Sequence, residues 1–228
     1  MATTDTLPAD HGIRLVRIES RPFAQNSYIL ARAGRPDCLV VDPGFEPGAI
    51  IDWIAGEGLV PAALLLTHGH SDHIAGNAAL RERWPAVPIV IGRHDAAKLG
   101  DPEANLSAPF GLAITSPPAD RLLDDGESFA AAGFRLVAHE IPGHSRGHVV
   151  LRLEDCRPAV VLGGDVLFAG SIGRTDFPDG DFAALAAGIR RHLYTLPDDT
   201  VILPGHGPAT TVGQERRHNP FVPDRPAD

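Results

Sequence analysis

The chain has 228 residues, 43% hydrophobic and 21% charged, with a formal net charge of −9. That length holds one large domain or two small ones with a substantial core. The negative balance, with a single lysine at Lys98, disfavours nucleic acid or an anionic membrane as the main partner, because both require clustered cations. Residues 1–11 lack the apolar stretch of a secretion signal, and no apolar run approaches the ~20 residues that cross a bilayer. Cys38 and Cys156 fit two small buried side chains in a reduced, cytoplasmic protein better than a disulfide framework.

In chain order, β-rich runs predict strands at 13–18, 27–31 and 38–41. Asp42-Pro43-Gly44 then breaks the chain, and a helix is expected over 48–55. The short, continuously apolar run 62–66 reads as a buried strand. A helix from Asp72 to about Trp84 and a strand at 87–91 follow it. Residues 101–119 are proline-rich and aperiodic and read as a surface loop. Further strands are expected at 134–138, 149–153, 159–162 and 201–203. A helix over 182–193 precedes the last of these, with Phe182, Leu185, Ala186, Ile189 and Leu193 on one face. The alternation of strands and helices predicts stacked α and β layers with a mixed sheet. No internal repeat or low-complexity linker interrupts it, so one domain is expected over 1–228, with tails at 1–11 and 222–228.

The densest chemistry lies in Thr67-His68-Gly69-His70-Ser71-Asp72-His73, directly after the buried strand. His68 and His70, two apart at a strand end, project to the same side. Ser71 suits a helix cap, with Asp72 and His73 in the first turn. A strand end and a helix start thereby aim four ligands into one space, and neutral imidazole with carboxylate suits zinc, iron or manganese. Three later stretches repeat the design of a strand end, a glycine turn and a ligand: Pro142-Gly143-His144, Gly163-Gly164-Asp165 and Pro204-Gly205-His206-Gly207. Seven ligands are too many for one tetrahedral ion and suit two ions sharing a carboxylate.

This ordered set of motifs, with Asp42 in Val-Asp-Pro-Gly, resembles the metallo-β-lactamase superfamily over nearly the whole chain. The resemblance implies an αβ/βα four-layer sandwich. Gly170 to Asp181 (GSIGRTDFPDGD) and Pro204 to Phe221 (PGHGPATTVGQERRHNPF) look like the short bacterial glyoxalase II type, hydroxyacylglutathione hydrolase-like proteins. By that resemblance His68, His70 and His144 hold a first divalent metal ion, most simply zinc, with iron and manganese as alternatives. Asp72, His73 and His206 hold a second. Asp165 bridges them, and Asp72 and Asp165 lower the charge of the pair and fix its geometry. His148 would be an orienting residue, and Arg174 is carried over as a contact for the substrate's glutathione carboxylate. The implied reaction is hydrolysis of S-(2-hydroxyacyl)glutathione to glutathione and a 2-hydroxy acid by attack of a dimetal-bound hydroxide.

Other activities fit parts of the pattern. Gly173 to Phe177 (GRTDF) also resembles persulfide dioxygenases, which use one iron held by two histidines and an acid, here His68, His144 and Asp165. Gly205-His206-Gly207 and Asn219-Pro220-Phe221 favour the hydrolase. A nuclease would call for a basic groove, and a structural zinc site would be closed and cysteine-rich. β-Lactam hydrolysis uses the same hardware but is disfavoured without a secretion signal.

Overall fold

The computed structural model describes residues 12–224, together with the backbone of a two-residue strand at Ala2–Thr3. The tails expected at the two ends fall largely outside those residues. Val222, placed in the second tail by the sequence, is fully buried, and its carbonyl accepts a hydrogen bond from Tyr194 Oη at 2.9 Å.

Seven strands form the first sheet in chain order: β1 (Ala2–Thr3), β2 (Ile13–Ser20), β3 (Gln25–Arg32), β4 (Asp37–Val41), β5 (Val60–Leu66), β6 (Ile89–Gly92) and β7 (Arg121–Leu123). Pairing is antiparallel from β1 to β4 and parallel from β4 to β7, so the sheet is mixed, as expected. The second sheet contains β8 (Ser128–Ala131), β9 (Phe134–Glu140), β10 (Val149–Leu153) and β11 (Val160–Gly164). A small hairpin, β12 (Leu167–Phe168) and β13 (Ser171–Ile172), separates these from β14 (Val201–Pro204) and β15 (Thr210–Thr211). The order across that sheet is β15-β14-β11-β10-β9-β8, with β11 and β14 parallel.

Side-chain alternation sorts the apolar residues into three cores. In β5, Leu65 faces the second sheet, whereas Leu64 and Leu66 face helices α1 (Pro47–Gly56), α2 (Ser71–Ile74) and α3 (Asn77–Arg83). In β11, Val160 and Leu162 join the central core. Val161 faces α4 (Phe182–Gly188), its π-helical continuation Ile189–Leu193, and α5 (Val212–His218). Strands covered on both faces read as unbroken apolar runs, which is why 62–66 was legible. The result is helix, sheet, sheet, helix: the αβ/βα sandwich. Phe134 is the largest fully buried side chain. Phe134→Ala is expected to cost about 3–5 kcal/mol, a fall of roughly 10 °C in melting temperature by calorimetry.

Several expectations need correction. The single helix from Asp72 to Trp84 is two helices, because the chain must pass close to the 42–44 turn. Gly76 N–H donates to Pro43 O at 2.8 Å, and a Cβ on Gly76 would come within 2.9 Å of Pro43 O and 2.8 Å of Gly44 O. Ser71 is the first helical residue rather than the cap, a position held by His70. Phe182, expected on the buried face of α4, is 48% exposed at its first turn. Strands β7, β8, β12, β13 and β15 escaped notice because each spans only two to four residues, too few to show alternation. Helix α5 is held by polar contacts rather than by periodicity: Thr211 Oγ1 accepts from Gln214 N–H at 3.3 Å, and Glu215 is buried.

Cys38 and Cys156 are free and buried in different cores. Burial pushes the Cys38 thiol up to about 12, leaving it protonated and unreactive. No helix among the described residues is long and apolar enough to cross a membrane.

Candidate metal centre

Parallel strands bring their carboxyl ends to one edge, where open α/β sheets place their sites. Asp42 follows β4, His68 follows β5, Asp165 follows β11 and His206 lies two residues beyond β14. His144 lies in the turn between β9 and β10. The seven residues expected as ligands converge at this edge. Potential ligand atoms lie within 4.8 Å of one another in three sets: His68, His70 and His144; His68, His73 and Asp165; and Asp72, His73 and His206.

Ring orientation follows from acceptor-only partners. His144 Nδ1–H donates to Arg174 O at 2.9 Å, and His206 Nδ1–H to Phe23 O at 3.1 Å. His73 Nδ1–H donates to Asp42 Oδ2 at 3.0 Å. Thr67 Oγ1–H donates to Asp42 Oδ2 at 2.7 Å, which leaves its oxygen to accept His68 Nδ1–H at 3.1 Å. Four imidazoles therefore turn Nε2 inward. His70 is reversed: its Nδ1 lies 3.0 Å from both His68 Nε2 and His144 Nε2.

Three buried ring nitrogens at that spacing suit a cation placed among them. Zinc–nitrogen bonds of about 2.0–2.1 Å put tetrahedral ligand nitrogens about 3.3 Å apart, close to the spacing seen. His73 Nε2 and Asp165 Oδ1 are buried, 3.4 Å apart and without hydrogen-bond partners, as ligand atoms facing a cation would be. The donor set thus fits a pair of metal ions.

Asp165 touches both halves. Its Oδ2 lies 3.5 Å from His144 Nε2 and 3.4 Å from His206 Nε2, and its Oδ1 faces His73. Asp72 Oδ2 lies 3.3 Å from His206 Nε2 and 3.8 Å from His73 Nε2. The preceding Gly164 has φ +47°, and a Cβ there would fall on Thr67 Oγ1 and His148 Nε2, so only glycine delivers Asp165 to this place. His148 does orient: its Nε2 accepts the Asp165 backbone N–H at 3.0 Å, and its ring stacks on His68 at 4.8 Å.

Electrostatics divides the cluster. Burial, reinforced by neighbouring imidazoles, holds His68 and His70 well below the ordinary histidine pKa, and burial also lowers His144. These rings are neutral, the form that binds metal. Burial disfavours charge on His73 too, but Asp72, Asp165 and Asp42 outweigh it and raise its pKa well above the usual value. His206 is raised similarly, burial being overcome by its hydrogen bond to Asp72 and by Asp165. The carboxyl of Asp165, which burial would push up, is held far below the usual range by His73, His144 and His206. Both raised imidazoles hold their protons to higher pH than a free histidine does and must lose them to become ligands. Metal binding near pH 7 is therefore expected to release protons, and affinity should fall with falling pH. Titration calorimetry in buffers of different ionisation enthalpy reads this directly; a zero proton count would contradict it.

Residues without a role in the sequence reading support the ligands. Asp95, fully buried, accepts Gly69 N–H and Gly147 N–H at 2.8 Å and the Ser145 hydroxyl, so it ties together the turns carrying His68, His70, His144 and His148. Lys98 Nζ donates to Ser145 Oγ and, at 2.6 Å, to Asp179 Oδ2. The only signal in the sequence was the rarity of lysine. Asn26 Nδ2 donates to Pro204 O at 3.0 Å and Gly207 O at 2.8 Å, bracing the His206 turn from the other sheet. Asp42 was legible as a motif, but its function in aiming His68 and His73 was not. Asp42→Asn keeps the size and tolerates φ 48°, yet its amide has only one oxygen for three donors, His73 Nδ1–H, the Thr67 hydroxyl and Thr67 N–H, the last at 2.8 Å. Metal affinity should fall about 10–100-fold in competition with a chromogenic chelator, and an unchanged affinity would deny Asp42 that function.

A cavity of about 320 Å³ opens over the cluster. Arg174 lies on its wall, paired with Asp176 through two hydrogen bonds of 2.9 Å and set 4.6 Å over the Phe177 ring.

A sequence profile of the metallo-beta-lactamase superfamily matches residues 20–206, the span that contains every one of these candidate ligands. The chain belongs to that superfamily. As a superfamily metallo-hydrolase, it is 38% identical over 192 residues to "Hydroxyacylglutathione hydrolase GloC" of Haemophilus influenzae, covering 82% of this chain and 87% of that one. Among solved structures, the BLEG-1 B3 metallo-beta-lactamase superposes with a TM-score of 0.85 at 39% identity, covering 90% of this chain and 98% of that one. TTHA1623 in a di-iron-bound form superposes with a TM-score of 0.77 at 37% identity, covering 90% and 99%.

Proposed function

We propose that this metallo-hydrolase cleaves thioesters, with S-(2-hydroxyacyl)glutathione as substrate and glutathione and a 2-hydroxy acid as products. The observation that carries the reading is the double ligand set joined by Asp165. In the proposal His68, His70 and His144 hold one divalent ion, Asp72, His73 and His206 hold the other, and Asp165 serves both. A pair of ions so held supplies a water of lowered pKa and a Lewis acid for the carbonyl oxygen. No serine or cysteine nucleophile is then required.

The chain's own groups do the rest. Two carboxylates against two divalent charges leave the centre net positive, suited to a polarised carbonyl and a departing thiolate. Asp42, Thr67 and the Arg174 and Phe23 carbonyls hold the rings in one tautomer, so the centre does not reorganise during turnover. Arg174, on the cavity wall, is the proposed contact for a substrate carboxylate. The relationship to GloC supports glutathione as the thiol. Zinc is the proposed metal, and the di-iron form of TTHA1623 makes iron the alternative to measure against it. A reducing, cytoplasmic setting and a small-molecule partner belong to the same proposal, supported by the free cysteines.

A persulfide dioxygenase with one iron on His68, His144 and Asp165 is the second reading, favoured by the Gly173 to Phe177 stretch; the second set completed by Asp72 and His206 weighs against it. The test is one panel on metal-loaded protein: S-lactoylglutathione, a β-lactam, and glutathione persulfide with oxygen uptake, with metal content from the same sample. Thioester turnover with about two metals per chain is expected. Persulfide-dependent oxygen consumption with one iron would replace the reading.

A further inference from the structure

The chain has nine phenylalanines, and only Phe129 and Phe134 belong to the buried cores. Four others, Phe23, Phe110, Phe168 and Phe177, line the cavity over the ligand cluster. Phe177 lies 5.3 Å from the His70 ring and 5.6 Å from the His144 ring, and Phe168 lies 6.1 Å from His206. Farther out, Phe23 meets Phe110 edge-on at 5.5 Å, and Phe110 is 65% exposed. Phe23, Phe168 and Phe177 are half-buried, and part-exposed rings gathered at one opening are costly unless a ligand covers them.

Polar capacity on the same walls is largely engaged. Arg174 is the one cationic side chain among the lining residues, and both Asp176 and Phe177 share it. Asn105 gives its amide hydrogens to Lys98 O and Ile114 O. What the walls offer a substrate beside the ligand cluster and Arg174 is therefore mostly apolar surface.

We propose that Phe168 and Phe177 form an acyl-recognition wall, so that the enzyme favours 2-hydroxyacyl thioesters bearing an aryl or large alkyl substituent over those bearing methyl. This rests on the thioester reading above. In that reaction water adds to the carbonyl carbon, the C–S bond breaks, and the proton left by water ends on the thiol. The carbonyl carbon must sit among the ligands. The substituent on its neighbouring carbon then lies one bond away, at the level of Phe168 and Phe177. The thiol's peptide leaves past sulfur toward the rim.

The test compares kcat/KM for S-mandeloylglutathione and S-lactoylglutathione on the metal-loaded protein. A preference of about tenfold or more for mandeloyl is expected. Phe168→Ala and Phe177→Ala, each with metal content and melting temperature recorded, should cut the ratio at least about threefold, as a lost aromatic contact predicts. Two lactoyl thioesters, of glutathione and of thiophenol, locate the preference. A wild-type acyl ratio near one or below, a ratio unmoved in both variants, or a preference that follows only the thiol overturns the inference while leaving the thioester reading in place. Failure to hydrolyse any of the three compounds overturns both.

Discussion

Replacing His70 with alanine is expected to lower kcat/KM for thioester hydrolysis by about a thousandfold or more, roughly 4 kcal/mol of barrier. The reason lies in its reversed ring. His68 and His144 donate their Nδ1 protons outward, but His70 turns Nδ1 inward to within 3.0 Å of both neighbours, and no adjacent side chain can replace that lone pair. The first set would drop to two nitrogens and the shared Asp165 oxygen, which weakens that site and changes its geometry. The fold should survive, since His70 lies on the cavity wall and the three apolar cores do not include it. Steady-state rates, metal content and circular dichroism on one preparation check the claim. Wild-type rates in a folded variant would contradict it.

Asp165→Ala should act on both sets at once. Its carboxylate faces His144 and His206 through one oxygen and His73 through the other. Removing it leaves the raised imidazoles of His73 and His206 with less compensating charge and takes a shared ligand from two ions. Metal content is expected to fall to one per chain or less, with kcat/KM lower by about a hundredfold or more. Asp165→Asn separates charge from volume: it fills the same space and should lose nearly as much. A variant with both metals retained and activity within about threefold of wild type would remove Asp165 from the centre.

The cluster of candidate ligands was legible because its members sit in short stretches where a strand ends and a glycine turns. Gly164 is the clearest case: the sequence shows the glycine, and the structure shows that Thr67 and His148 leave no room for a Cβ. The central strands were legible for the same local reason, since both faces are covered. What escaped acts across long separations. Asn26 reaches Gly207 from 181 residues away, and Asp95 reaches Gly147 from 52. Neither is marked by its neighbours in sequence, because each donor and its acceptor meet only after the two sheets pack. The phenylalanines of the cavity wall were hidden for another reason. An aromatic residue in a loop reads as an ordinary apolar contact until its exposure and its neighbours are known.

The central claim is that two sets of side chains, joined by Asp165, hold two divalent ions. A crystal structure of the zinc-loaded protein with anomalous data at the zinc edge tests it most directly. The account predicts two anomalous peaks per chain, one among His68, His70 and His144, the other among Asp72, His73 and His206, with Asp165 within bonding distance of both. Peaks elsewhere, or none among these residues in a fully loaded sample, would contradict it.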